Sequence, residues 1–160
     1  MSKLNDALEE AKTRLLGVDT PTISLVGKVV VAYNEDDLLD VLKGLKAFPA
    51  VGIVYEGMRA KPEPGATGKM GLSCEIVMSF VLVEQGDAPF ATQQKKTRSV
   101  DYLDLMRDQF MGQRSIVTGH LWNFMVESPA ALTSNMVCWV QRWSLPVQLP
   151  PVKIANSLQG

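Results

Sequence analysis

The chain has 160 residues, a length that fits one domain with a core of its own. Hydrophobic residues make up 46%, charged residues make up 21%, and the formal net charge is -1. This balance is typical of a globular protein and argues against a dedicated nucleic-acid binder, which needs a strong positive field. Because no continuous apolar segment lies near the N-terminus, we expect a soluble protein with neither a signal peptide nor a transmembrane helix.

The first third of the chain alternates helix and strand patterns. Apolar residues at spacings of three and four predict an amphipathic helix over residues 2–16 that ends at Gly17. A β-branched run predicts a strand over residues 23–33, and Asn34 is placed to cap a second helix. The apolar run 48–57 predicts the next strand. A strand, a helix and a strand in this order predict a parallel pair joined by a right-handed crossover.

The middle of the chain predicts two polar loops around one long strand. Residues 58–69 contain two prolines and two glycines and are predicted to be a loop, as are residues 86–98. Between them, residues 70–85 predict a strand with unequal faces. One set of alternate side chains is apolar throughout, whereas the set beginning with Ser73 and Glu75 becomes apolar only later. We therefore expect one face of the sheet to be covered throughout and the other only near the strand's end.

The last third predicts a helix over residues 99–111, capped by Thr97 or Ser99, and then two strands. The strands are expected at residues 121–127 and 135–145, with a turn at residues 128–129.

The order of these elements predicts the fold class. Helix, strand, helix, strand, strand, helix, strand, strand is typical of one α+β domain with a mixed, mostly antiparallel sheet and helices packed on one face. The domain is expected to span residues 1–149, followed by an extended or disordered tail at residues 150–160.

No pattern of residues predicts catalysis. His120 is the only histidine, so any Ser-His-Asp or Cys-His system would have to include it, and its position at the start of a strand favours a surface histidine. Cys74 and Cys138 occupy apolar strand positions and are interpreted as buried thiols. Glu9 and Glu10 are interpreted as part of a solvated helix face. We therefore expect no enzyme activity, no cofactor and no metal site.

Two predicted loops are basic and one tryptophan is a candidate for protein contact. If both loops project from one edge of the sheet, they form a positive rim that could meet an acidic partner, although solvated loop charge is the plainer interpretation. Trp139 and Trp143 share one face of a strand, and one of them is expected to be exposed, with core packing as the alternative. The candidate interaction residues are Arg59, Lys61 and Lys69 in the first loop, Lys95, Lys96 and Arg98 in the second, and Trp143.

Residues 48–57, Phe-Pro-Ala-Val-Gly-Ile-Val-Tyr-Glu-Gly, follow an amphipathic helix and carry a family resemblance. They resemble a strand in a family of small proteins from the tail modules of contractile-tailed bacteriophages. In that family the strand is followed by a loop, a long strand and a polar loop. A helix like residues 99–110 and a terminal hairpin like residues 121–145 come next. The resemblance covers residues 1–150. The chain departs from the family at Gly112, where members usually have a tryptophan or another bulky residue.

Proteins of this kind are similar to phage tail terminators, and the resemblance implies a structural role. It implies a homohexameric ring, made in the host cytoplasm, that caps the head-proximal end of the tail tube in the virion. Such a ring ends tube polymerisation and offers a surface for neck attachment. The implied partners are further copies of the chain, the tail tube protein, a neck or connector protein and the sheath, with no membrane and no sequence-specific nucleic acid.

Two alternatives stay open at this point. The first alternative to a terminator is a neck or tail-completion protein that joins head to tail. The second, in a different class, is a small ligand-binding α+β module. The mass in solution separates the classes, because a discrete ring of about six subunits favours the terminator.

Overall fold

The described residues form one five-stranded sheet and three helices. A computed structural model of the chain describes residues 2–44, 48–60, 72–85, 89–130 and 136–149. The helices are α1 (Lys3–Leu16), α2 (Glu35–Gly44) and α3 (Pro89–Asp108). The strands are β1 (Val29–Ala32), β2 (Ala50–Ala60), β3 (Leu72–Gln85), β4 (Asn123–Ala130) and β5 (Met136–Leu149).

The sheet is mixed, with the strand order β1-β2-β3-β5-β4. Strands β1 and β2 are parallel and are connected through α2, whereas all the other neighbours are antiparallel. The predicted parallel pair and the predicted α+β class with a mostly antiparallel sheet are confirmed. The open order leaves β1 and β4 as the two edge strands.

Different helices cover the two faces of the sheet. Helices α1 and α3 pack on the first face, where Leu8 and Met106 join the larger hydrophobic cluster. Leu38 of α2 packs on the second face against Val81 and Val83. The expectation that all helices share one face is therefore right for α1 and α3 and wrong for α2. Because α1 and α3 already occupy the first face, the crossover helix finds free apolar surface only on the second.

Strand β3 has the unequal faces that its sequence predicts. On the first face Ile76, Met78 and Phe80 are buried in the larger cluster. On the second face only the later residues Val81 and Val83 belong to the smaller cluster under α2. The earlier half of the second face therefore has no helix from the described residues over it.

The helix starts follow local chemistry. The side chain of Ser2 accepts a hydrogen bond from the N–H of Asn5, and Oδ1 of Asn34 accepts one from Asp37 at 2.8 Å, so both predicted N-termini are confirmed. Helix α3, in contrast, begins at Pro89, so the predicted loop at residues 86–98 and its later caps are wrong from residue 89 onward. Proline suits the first helical position, and the glutamines and lysines that follow are good helix formers.

Four strands also have boundaries that differ from the prediction. Strand β1 is limited to four residues, and β2 continues to Ala60. Strand β4 continues through the predicted turn at Ser128 and Pro129, which an edge strand tolerates because the missing N–H can face solvent. Strand β5 continues past Pro146. This proline pairs with Glu75 of β3 and lies beyond Ser144, the last residue of β5 that pairs with β4. The proline thus costs no hydrogen bond to β4.

Gly52 lies where α2 approaches the sheet closely. A Cβ atom at this position would lie 2.0 Å from Cδ1 of the buried Leu38. We therefore expect Gly52→Ala to lower the free energy of unfolding by about 1–3 kcal/mol, because Leu38 or α2 has to move. Urea unfolding measures the change. In a Leu38→Ala background the same substitution should cost much less, and an equal cost in both backgrounds would contradict the clash.

Candidate protein-interaction surface

Arg59, predicted to lie in a basic loop, lies in strand β2 instead. Its Nε donates to Oε2 of Glu75 on the neighbouring strand at 2.9 Å, so its charge is paired. Lys61 and Lys69 lie outside the described residues.

The second predicted basic loop belongs to a helix. Lys95, Lys96 and Arg98 lie in the N-terminal half of α3. Ser99, which follows them, donates to Glu84 at 2.6 Å near the end of β3. Glu75, the partner of Arg59, lies near the start of the same strand. At the usual rise per residue, Glu75 and Glu84 are about 30 Å apart. The structure therefore does not bring Arg59 and the α3 residues together, and a shared positive rim is wrong for them.

Trp143 belongs to the core, not to an interface. Its side chain is 0% exposed, and its ring centroid lies 5.3 Å from that of Phe110 and 5.2 Å from that of Phe124. The prediction of Trp143 as a contact residue is therefore wrong. Strand β5 lies inside the sheet with α3 over it, whereas Trp139 on the same face is only partly buried.

The edge strand β4 and the loop before it expose a group of apolar side chains. Phe124, Met125 and Val126 are consecutive in β4 and are 37%, 38% and 42% exposed. In the preceding loop, residues 111–122, Ile116 is 86% exposed and Leu121 is 43% exposed. We call these five residues the β4 surface. Exposed apolar groups of this kind on an edge strand typically mark a contact with another chain.

A β-bulge directs part of the β4 surface to the second face of the sheet. Phe124 pairs with Trp143, and Val126 pairs with Arg142, so Met125 is the extra residue. Val126 therefore shares the second face with Arg142, and Met125 lines a groove beside it. Together with Pro129, the bulge also makes the outer edge of β4 a poor template for open-ended strand addition. We therefore expect contacts here to be made by side chains.

The groove occupies the half of the second face that α2 leaves uncovered. Its volume is about 400 Å³ and it is open to solvent. Two ion pairs cross its walls: Arg142 donates to both carboxylate oxygens of Glu56, at 2.6 and 3.0 Å, and Arg59 pairs with Glu75. The lining residues are Glu56, Gly57, Met58, Arg59, Val77, Met125 and Arg142.

A bulge in β2 shapes this groove. The register shift between Tyr55 and Gly57 leaves Glu56 as the extra residue, which pairs with Arg142 across the second face. Gly57 has a φ of +126°, a conformation that a residue with a Cβ rarely adopts.

The 111–122 loop is held by a carboxylate that the sequence did not single out. Glu10 is buried and accepts hydrogen bonds from Arg14 Nε at 3.0 Å, the Ser115 hydroxyl at 2.6 Å and the Ile116 N–H at 3.0 Å. Arg14 also donates to the carbonyl of Arg114 at 2.7 Å. The interpretation of Glu10 as a solvated residue is wrong, because the loop folds back over α1. Ile116 is therefore exposed on a loop that hydrogen bonds hold to α1.

A second polar network fixes β4 against α3. Arg107 of α3 pairs with Glu127 of β4 and with Asp104 one turn earlier in its own helix. The buried Gln141 donates to Glu127 at 2.8 Å and to the carbonyl of Leu103 at 3.0 Å. The strand that carries the exposed apolar side chains is thus held by α3 and β5 together.

The sequence did contain a signal for the β4 surface. Residues 124–126 are apolar without alternation, and Pro129 in the same strand marks an edge. A strand that is apolar on both faces and lies at an edge has one face left for a partner. Without the strand order, however, that combination also fits a strand buried on both faces.

The structure also gives the positions of the histidine and the two cysteines. His120 is exposed, and Cys74 and Cys138 are buried in clusters on opposite faces of the sheet, so they do not bond to each other. Among the described residues, no three His, Cys, Asp or Glu side chains are grouped so that they could hold a metal ion.

Comparisons with known proteins do not extend these findings. No model of a known protein family matches the sequence, and no curated protein matches it. None of the helices in the described ranges has the length and apolar character needed to cross a membrane.

Proposed function

We propose that this chain is a structural protein of a phage tail, a tail terminator that works as a ring of identical subunits. In this role it caps the head-proximal end of the tail tube, ends tube polymerisation and presents a surface for neck attachment. The partners are further copies of the chain, the tail tube protein and a neck or connector protein.

The β4 surface is the observation that carries this proposal. Five apolar side chains are exposed around one edge of the sheet, and two polar networks, at Glu10 and at Glu127, hold the segments that present them. A surface held in place before binding loses little conformational freedom when a partner arrives, so its binding free energy is larger. An assembly protein needs such preformed contacts. The family resemblance of residues 48–57 adds the specific role.

The mechanism is the geometry of the interfaces. A ring forms when each subunit uses one surface toward one neighbour and a different surface toward the other, and when the rotation between subunits closes. The closed ring has no free subunit-binding surface left, so it does not grow. Its flat sides remain available for the tube below and the neck above.

Electron microscopy of tails assembled without this protein tests the proposal. We expect over-long tubes, and normal lengths when wild-type protein is supplied. The variant Val126→Asp should fail to restore the length, whereas Val26→Asp should restore it. Val26 is the matched control, since it is 56% exposed and precedes β1 at the far edge of the sheet.

Two other outcomes would contradict termination. Tubes of normal length that lack heads would assign the chain to head-to-tail joining. Normal tails with normal heads would exclude both roles and favour the ligand-binding alternative.

A further inference from the structure

We infer that Ile116 of one subunit inserts into the groove on the second face of the next subunit's sheet, and that this contact closes the ring. The inference rests on the proposed function for the biological setting, but the contact itself is argued from the surface of this chain. It commits to one occupant for the groove, a second copy of the chain.

The 111–122 loop has the properties of an inserted group. Ile116 is 86% exposed, while Ser115 beside it is 2% exposed and hydrogen-bonded to Glu10. The hydroxyl of Ser115 also accepts hydrogen bonds from the N–H groups of Val117 and Thr118, at 3.0 and 3.1 Å. The apolar side chain therefore projects from a loop with little freedom to lose, which favours a strong contribution to binding.

The groove has the size and the charge to receive it. Its volume of about 400 Å³ leaves room for a branched aliphatic side chain, and Val77 and Met125 supply apolar lining. Its charged residues pair with one another, Arg142 with Glu56 and Arg59 with Glu75.

A groove whose charges are already paired favours an uncharged occupant. A strongly acidic or basic peptide would have to break these ion pairs to gain its own. Residues 115–119 of this same chain, Ser-Ile-Val-Thr-Gly, carry no charge and have an exposed apolar side chain. The chain thus supplies a segment that matches the groove in both charge and polarity.

The positions of loop and groove determine the symmetry of the contact. The loop is bonded to α1 and so lies on the first face of the sheet, whereas the groove lies on the second. A subunit therefore cannot fill its own groove. Each copy gives its loop to one neighbour and its groove to the other, which is a heterologous contact that forms a ring if the rotation closes.

Disulfide trapping of the variant Ile116→Cys/Val77→Cys tests the contact. Under mild oxidation at the highest concentration at which the protein stays in solution, we expect covalent products longer than dimers, because each chain bonds to two neighbours. The control Ile116→Cys/Thr22→Cys carries its second thiol on an exposed residue of the turn that precedes β1, the other edge strand, and should give none. The wild type, whose two cysteines are buried, should also give none.

A ladder of products from the Val77 pair alone would support the inference. Products that stop at dimers would indicate a two-fold contact and overturn it, and so would monomers alone or equal products from the control pair. As a second measurement, Ile116→Asp should weaken self-association at least about tenfold in equilibrium sedimentation, as for the loss of an interface hot spot. The variants Ile116→Val and Val26→Asp should leave it unchanged.

The trapping experiment tests the contact and the tail-length experiment tests the terminator role, so either can fail without the other. A ladder without over-long tubes would keep the contact and remove the terminator role. Over-long tubes without a ladder would keep the role and remove this contact.

Discussion

We expect Trp143→Ala to lower the free energy of unfolding by about 3–5 kcal/mol, the largest effect of any single substitution considered for this protein. Trp143 is fully buried, and its ring packs against those of Phe80, Phe110 and Phe124. Removal of the indole leaves a cavity among these rings that its neighbours can fill only in part. Urea or thermal unfolding followed by circular dichroism measures the loss.

The matched control is Trp139→Ala. Trp139 lies on the same face of the same strand but is only partly buried, so its removal should cost clearly less. An interface role for Trp143 would give the opposite pattern. In that case Trp143→Ala would unfold at the wild-type urea concentration and lose only self-association.

We expect Glu10→Ala to lower the free energy of unfolding by about 2–4 kcal/mol. The substitution removes the acceptor for the Ser115 hydroxyl, the Ile116 N–H and Arg14 Nε, and it leaves these donors without that partner in a buried or part-buried site. Arg14 keeps its bonds to the carbonyls of Gln109 and Arg114, which limits the cost. Chemical denaturation gives the size of the effect.

Hydrogen exchange separates a local effect on the loop from general destabilisation. In Glu10→Ala, the exchange rate of the Ile116 amide should rise over its wild-type value by more than the rates of amides in the central strands, because its only described acceptor is lost. Glu9→Ala is the control, since Glu9 is the exposed neighbour on the same helix and its removal should change neither stability nor exchange. Equal effects of the two substitutions would show that Glu10 does not hold the loop.

The two proposals connect at this carboxylate. If Glu10 keeps Ile116 in position for a neighbouring subunit, Glu10→Ala should also weaken self-association at temperatures where the domain is still folded. A folded variant with wild-type self-association would mean that the ordered loop is not needed for the contact.

The features that the sequence predicted correctly depend on neighbours in the chain. Asn34, the predicted cap of α2, bonds to a residue three positions ahead, so the pattern is complete within one turn. The unequal faces of β3 follow from alternation along a single strand. The α+β class follows from the order of such elements, and the parallel pair from the crossover that a strand, a helix and a strand require.

Some errors came from residues whose role depends on position. Prolines at 89, 129 and 146 suggested breaks, yet each occupies a place where a missing N–H costs little: the first position of a helix, an edge strand, and a stretch of β5 that β4 does not pair. Tryptophan in a strand fits both a core and an interface, and only the position of β5 inside the sheet places Trp143 in the core.

By itself, the sequence determined the fold class, two helix starts, the parallel pair and the half-covered second face of β3, because each depends on periodicity or chemistry within a few residues. Only the tertiary structure decided which strand lies at the edge, that Glu10 is buried beneath a loop more than one hundred residues later, and that a groove lies behind Met125. These features arise from contacts between distant segments. The exposure of a side chain depends on what the rest of the chain places against it, which no local pattern records.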